Sequence, residues 1–124
     1  MTPDPIALSA TLNQNFQLFR AEDKVLKVEM TGYDLATATD IEWWLARSPY
    51  SDPAEILVAK TLVAGIAVVG TTVEITLASA DSVALIPDIY YHEMRLKQAD
   101  GAVKVVMTGN ALIRMSLNTE EETP

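Results

Sequence analysis

The sequence predicts an all-β protein, an antiparallel β-sandwich of about seven to nine strands with at most one short helical turn. Three observations predict this class. Apolar residues recur with a period of two, turn-forming residues interrupt the chain at short intervals, and helical periodicity is nearly absent. The chain has 124 residues, of which 49% are hydrophobic, and no cysteine. A single domain of this size buries enough apolar surface to fold without disulfides.

Alternation of apolar and polar residues marks the individual strands. KVLKVEM at 24–30 has one apolar and one mostly polar face, and TVEITL at 72–77 repeats the pattern. IEWWLAR places Trp43 on the inner face, as a core anchor, and Trp44 on the outer face. The predicted strands are 15–20, 24–31, 39–47, 55–62, 66–69, 72–77, 89–98 and 103–117, with a break near Gly109 in the last.

Helix is predicted at only one place. In SADSVALIP, Ser79 is expected to cap a single turn that Pro87 ends. The remaining organisation is simple: 1–14 is an N-terminal arm or extra strand, 15–118 is the sandwich domain, and 119–124 is an acidic flexible tail.

The only histidine lies in IYYHEMRLKQADGAVKVVMTG, which raises the question of an active site. The pair Asp100-Gly101 predicts a hairpin turn, and alternation places His92 and Met94 inward but Glu93 outward. A general base needs its orienting carboxylate within hydrogen-bond reach, so His92 and Glu93 do not form such a pair. We expect Tyr90, His92 and Met94 in the core, with a ring nitrogen of His92 bonded to backbone or to a hydroxyl.

Two adjacent tyrosines begin the same strand. Tyr90, which follows Leu85 and Pro87, has approximately the spacing of the tyrosine corner of immunoglobulin-like sandwiches, in which the hydroxyl bonds to upstream backbone. Tyr91 is the alternative for that position. Trp44 and Tyr91 are expected on the outer face, where they either form a subunit interface or are covered by a loop or the N-terminal segment.

The N-terminal segment PIALSATLNQ also alternates, with Ile6, Leu8 and Leu12 among polar or small residues. A segment of this kind either adds to an exposed sheet edge of a neighbouring subunit or closes its own sheet. Ile6, Leu8 and Leu12 are therefore candidate interface residues beside Trp44 and Tyr91.

Composition and motifs exclude several classes of function. The formal net charge of −8 repels phosphate backbones, so no nucleic-acid partner is expected. Without cysteine, and without the spacing of a metal site, a Walker loop or a nucleophile elbow, we expect no enzymatic activity, cofactor or metal. The chain also lacks a signal-peptide pattern and any apolar run long enough to span a bilayer. No membrane partner is expected.

Several short motifs follow one another in a fixed order over roughly residues 15–122. The first is an acidic turn at Ala21, Glu22 and Asp23, and the second is an Asp-Leu-small-Thr loop at Asp34, Leu35, Ala36 and Thr37. The third is a strand end with a Leu-x-Pro-x-x-Tyr sequence, matched by Leu77 to Asp81 with Leu85, Pro87 and Tyr90. The last is an Asp-Gly hairpin at Asp100 and Gly101, followed by a strand that begins at Gly109. In this order they resemble small phage virion proteins and the N-terminal domains of phage tail and baseplate subunits.

The resemblance implies an immunoglobulin-like sandwich that serves as a non-enzymatic structural protein of a bacteriophage virion. Its place would be the tail, the baseplate or the capsid surface, after synthesis in the host cytoplasm. The implied partners are other virion proteins and further copies of the chain. The alternative function is a carbohydrate- or protein-binding module that uses the exposed Trp/Tyr patch, and an enzyme ranks third.

Overall fold

The computed structural model describes residues 4–52 and 55–115. Within these ranges the chain forms nine strands and one short helix. They are β1 (Asp4–Ser9), β2 (Phe16–Phe19), β3 (Lys24–Glu29), β4 (Ala38–Ala46), β5 (Val58–Leu62), β6 (Gly65–Val69), β7 (Thr72–Leu77), α1 (Ser79–Ser82), β8 (Asp88–Gln98) and β9 (Val103–Arg114). The predicted all-β class is confirmed. The predicted acidic tail at 119–124 lies outside the described residues.

The strands form one sheet in the order β1-β3-β7-β6-β5-β4-β8-β9-β2. β1 and β2 follow each other in the chain, yet they occupy opposite edges, so the sheet curls almost into a closed barrel. The prediction of a purely antiparallel arrangement is wrong, because β1 with β3, β2 with β9 and the short β5–β6 contact are parallel. At the two edges the paired strands are not joined by a hairpin, so no tight turn requires them to be antiparallel.

The core is made by the inward residues of the alternating strands. In β8 the buried residues are Tyr90, His92, Met94 and Leu96, and the residues between them are partly exposed. Trp43 of β4 is buried in the same core. Side chains of a strand point alternately to its two faces, so the residues between the buried ones, Tyr91, Glu93 and Arg95, lie on the outer face of β8.

β8 and β9 form the hairpin predicted from Asp100-Gly101. Gly101 has a φ of 89°, which glycine adopts without a steric penalty, and Asp100 accepts a hydrogen bond from the Ala102 amide. The break predicted near Gly109 is wrong, since β9 is continuous to Arg114. The irregularity is a bulge at Val106 instead, because Met94 pairs with Met107 while Arg95 pairs with Val105.

Two further boundaries differ from the prediction. β5 begins at Val58 rather than 55, since the Glu55 amide bonds to the carbonyl of Asp52 in a turn. Ser79 does not cap the helix, which has only four residues. The Ala78 amide donates to the carboxylate of Asp81 instead.

Candidate functional site

The N-terminal segment belongs to the molecule's own sheet. β1 lies beside β3 with Ile6 opposite Leu26 and Leu8 opposite Val28, so these side chains share the core-facing side. Leu8 is only 7% exposed and Ile6 packs against the core. The assignment of Leu8 to a subunit interface is therefore wrong, because its side chain is already buried within the chain. Of the three candidates in this segment, Leu12 is the exposed one.

His92 is fully buried and uses both ring nitrogens. Its Nδ1 lies 3.1 Å from Nε1 of Trp43, and its Nε2 lies 2.5 Å from the carbonyl oxygen of Gln14. The rings of Phe16 and His92 pack in a T-shaped arrangement, with their centres 4.9 Å apart. Burial lowers the pKa of His92, although the bond to Gln14 acts in the opposite direction. With both nitrogens engaged, the ring holds parts of the fold together and offers no free nitrogen to a substrate.

The segment before β2 crosses β9 at a glycine. The Gln14 amide donates to the carbonyl of Thr108 at 2.8 Å, and a Cβ atom added at Gly109 would lie 2.1 Å from the Gln14 carbonyl oxygen. Glycine in the interior of a strand often marks such a close approach of another backbone. The sequence contains this signal, although the prediction at Gly109 is a break in the strand.

Tyr90 begins the buried face of β8. Its hydroxyl donates to the carbonyl oxygen of Ile86, four residues upstream, at 2.5 Å. This is the hydrogen bond that defines a tyrosine corner, and it involves Tyr90 rather than the alternative, Tyr91. The guanidinium of Arg47 lies 5.8 Å from the centre of the Tyr90 ring.

Trp44 and Tyr91 are joined on the outer face by two charged residues. The guanidinium carbon of Arg95 lies 4.6 Å from the centre of the Trp44 ring, a cation–π distance. Nε of Arg95 donates to Oε2 of Glu93 at 3.0 Å, and the Tyr91 hydroxyl donates to Oε1 of Glu93 at 2.7 Å. The sequence placed these residues on one face, but it did not reveal that they form a continuous network.

These residues line a cleft of about 240 Å³. Ala46, the cross-strand partner of Tyr91, also lines it, and the loop after β4 supplies Ser48, Ser51 and Ile56. Burial raises the pKa of the Tyr91 hydroxyl, and the hydrogen bond and negative charge of Glu93 raise it further. The Tyr91 hydroxyl therefore remains a neutral donor, and we call this cavity the Trp44–Tyr91 cleft.

The described part of the chain contains no group of three or more histidine, aspartate or glutamate side chains placed to hold a metal ion. Within 4–52 and 55–115, no helix has the length and apolar character required to cross a membrane. A scan of the sequence against protein-family models finds no match, and a search of curated proteins finds none.

Proposed function

We propose that the chain is a non-enzymatic structural protein of a bacteriophage virion, with an immunoglobulin-like sandwich fold. In this proposal it forms part of the tail, the baseplate or the capsid surface, and contacts further copies of itself or other virion proteins. The observation that carries the assembly role is an exposed apolar surface at the edge of the sheet. The motif order in the sequence supplies the phage assignment.

The strand order supports the sandwich. The β5–β6 contact of the single sheet consists of only two residue pairs, and a division there would give the halves β1-β3-β7-β6 and β5-β4-β8-β9-β2. Lettered by their order in an immunoglobulin domain, these halves would match the strand orders A-B-E-D and a sheet containing C-F-G, although β1 is parallel to β3 where an immunoglobulin sheet is antiparallel. Tyr90 then lies near the start of strand F, where the tyrosine corner belongs.

The exposed apolar surface, which we call the β2 edge patch, consists of Phe19, Ile89 and Leu112. Ile89 of β8 and Leu112 of β9 are direct cross-strand partners, and Gln17 of β2 pairs with Leu112 two positions before Phe19. All three apolar side chains are exposed, Ile89 at 58%. Clustered apolar side chains on a sheet commonly mark an interface.

The patch borders a strand edge. Among the described strands β2 pairs with β9 alone, so its other side lacks a strand partner, although the Phe19 amide bonds to the carboxylate of Glu22. An exposed edge of this kind readily pairs with a strand of another chain. A neighbouring subunit that adds a strand to β2 would satisfy the backbone groups and cover the β2 edge patch in one contact.

Mass spectrometry of phage particles purified from the source culture tests the virion assignment. We expect the protein to copurify with infectious particles through a density gradient, in several copies per particle. Recovery of the protein only from the soluble cell fraction, in cultures that yield abundant particles, would contradict the proposal.

The assembly surface is tested by analytical ultracentrifugation of the purified chain. Ile89→Asp introduces a charge into the β2 edge patch and should convert oligomers into monomers. Val69→Asp is the matched control, since Val69 is equally exposed at 57% but lies on β6. Equal association of both variants and the unmodified protein would show that the patch is not an interface.

A further inference from the structure

We propose that the Trp44–Tyr91 cleft binds a neutral saccharide. This function is separate from assembly, because the cleft is lined by β4, β8 and the loop after β4, whereas the β2 edge patch lies at the sheet edge. A saccharide ring has an apolar face of C–H groups and a rim of hydroxyl groups. The cleft presents an aromatic ring beside paired hydrogen-bond donors and acceptors, which is the complementary arrangement.

The aromatic part of the cleft is held in place before any ligand arrives. Arg95 lies over the Trp44 ring, and Arg95 is itself bonded to Glu93. A ring fixed in this way loses little conformational entropy when a ligand packs on it. Arg95 covers one face of the Trp44 ring, so a sugar would pack its C–H face on the remaining ring surface that lines the cleft.

The polar groups retain capacity for hydrogen bonding. Each Glu93 oxygen accepts one bond from the protein and has a second lone pair. The bond from Arg95 to Glu93 is made by Nε. The terminal Nη groups of Arg95 donate to no residue within 4–52 or 55–115, so they can donate to a ligand. The hydroxyls of Ser48 and Ser51 accept bonds from loop amides, which leaves their protons for other acceptors. Adjacent donors and acceptors of this type match vicinal hydroxyl groups.

Charge and strand pairing argue against an acidic ligand and against a peptide added as a strand. Among the described residues, Glu93 and Arg95 are the two charged ones that line the cleft, and their charges cancel. The whole chain carries −8, which repels phosphate groups and acidic glycans. A peptide cannot be added as a strand here, because β4 and β8 each have a hydrogen-bonded neighbour on both sides. A neutral polyhydroxyl ligand fits all three conditions.

A glycan array followed by calorimetric titration tests the proposal on the full chain. The probes are neutral oligosaccharides, namely maltotriose, cellotriose, chitotriose and mannotriose, with a sialylated trisaccharide as the acidic comparison. We expect binding of at least one neutral probe. Trp44→Ala should weaken that binding about tenfold or more, and Ala46→Leu should weaken it similarly by filling the cleft.

Tyr50→Ala is the matched control, because Tyr50 is an aromatic residue of the same loop that is 92% exposed and does not line the cleft. It should bind like the unmodified protein. The thermal transition of each variant distinguishes lost binding from lost folding. Absence of binding to every neutral probe, preference for the acidic probe, or equal binding by Trp44→Ala and Tyr50→Ala would overturn the proposal.

The same titration separates this proposal from the assembly role. Ile89→Asp changes the β2 edge patch and leaves every cleft residue in place, so it should keep saccharide binding while losing association. Loss of saccharide binding in Ile89→Asp would show that the two surfaces are one site, which contradicts the separate cleft proposed here.

Discussion

Trp43 and His92 lie on the adjacent strands β4 and β8, and the indole N–H of Trp43 donates to Nδ1 of His92 at 3.1 Å inside the core. An indole nitrogen is only a donor, so Nδ1 carries no proton and Nε2 carries the one that is donated to Gln14. A second proton on the ring would set two donors against each other. Neutral His92 is therefore a condition of the native packing.

The first prediction concerns pH. The pKa of His92 is lowered in the folded protein. When the pH falls below the ordinary histidine pKa of about 6.5, the unfolded chain therefore binds more protons than the folded protein. The stability contributed by neutral His92 is fully present above about pH 6.5 and is lost as the pH falls below it. The free energy of unfolding should fall by at most about 1.4 kcal/mol for each pH unit because of this one group. Urea denaturation between pH 5 and 8 measures it.

His92→Gln provides the control for this pH dependence, since glutamine forms hydrogen bonds without titrating in this range. The variant is expected to be less stable at pH 8 but to lose less additional stability on acidification. Carboxylate groups contribute equally to both proteins, so the difference between the two slopes belongs to His92. Identical slopes would mean that His92 accepts a proton in the folded state without cost.

Trp43→Phe tests the indole hydrogen bond directly. The substitution leaves Nδ1 of His92 without its donor and removes part of a large buried side chain, so we expect a loss of about 2–4 kcal/mol in the free energy of unfolding. Trp44→Phe, one residue further on the outer face, should change it by about 1 kcal/mol or less. Equal effects at the two positions would mean that the assignment of inner and outer faces on β4 is wrong.

Gly109→Ala tests the crossing of the two backbones. The new Cβ would lie 2.1 Å from the carbonyl oxygen of Gln14, so the segment before β2 must move, at a cost of about 1–3 kcal/mol. Hydrogen exchange of the Gln14 amide should accelerate, because its bond to Thr108 is disturbed. Asn110→Ala, at the exposed neighbouring position, is expected to leave both quantities nearly unchanged. Normal protection of Gln14 in Gly109→Ala would refute this crossing.

Val63→Asn should stabilise the protein. Val63 has a φ of 65° and is 97% exposed, so a β-branched residue occupies the left-handed region without any packing in return. Asparagine tolerates this region better, so we expect the free energy of unfolding to rise by about 1 kcal/mol. Thermal or urea denaturation measures the change. Val69→Asn, within strand β6, should give no gain because asparagine is unfavourable in strands. A loss of stability in Val63→Asn would contradict the strained turn.

Local pattern predicted much of this protein. Period-two alternation placed Trp43, His92 and Met94 inside and Trp44 and Tyr91 outside, because successive side chains of a strand point to opposite faces. The glycine of the Asp-Gly pair marked the hairpin for an equally local reason, since glycine adopts a positive φ freely.

Long-range pairing was decided only in the tertiary structure. His92 binds Gln14 across 78 residues of sequence, and Asn110 donates its amide to the Asn15 side chain across 95. Alternation specifies which face of a strand is apolar, but not which strand lies beside it or in which direction it runs. The parallel edge strands, the role of Gly109 and the network from Trp44 to Tyr91 therefore depend on the packing of the whole chain, in which distant segments meet at distances that no local pattern encodes.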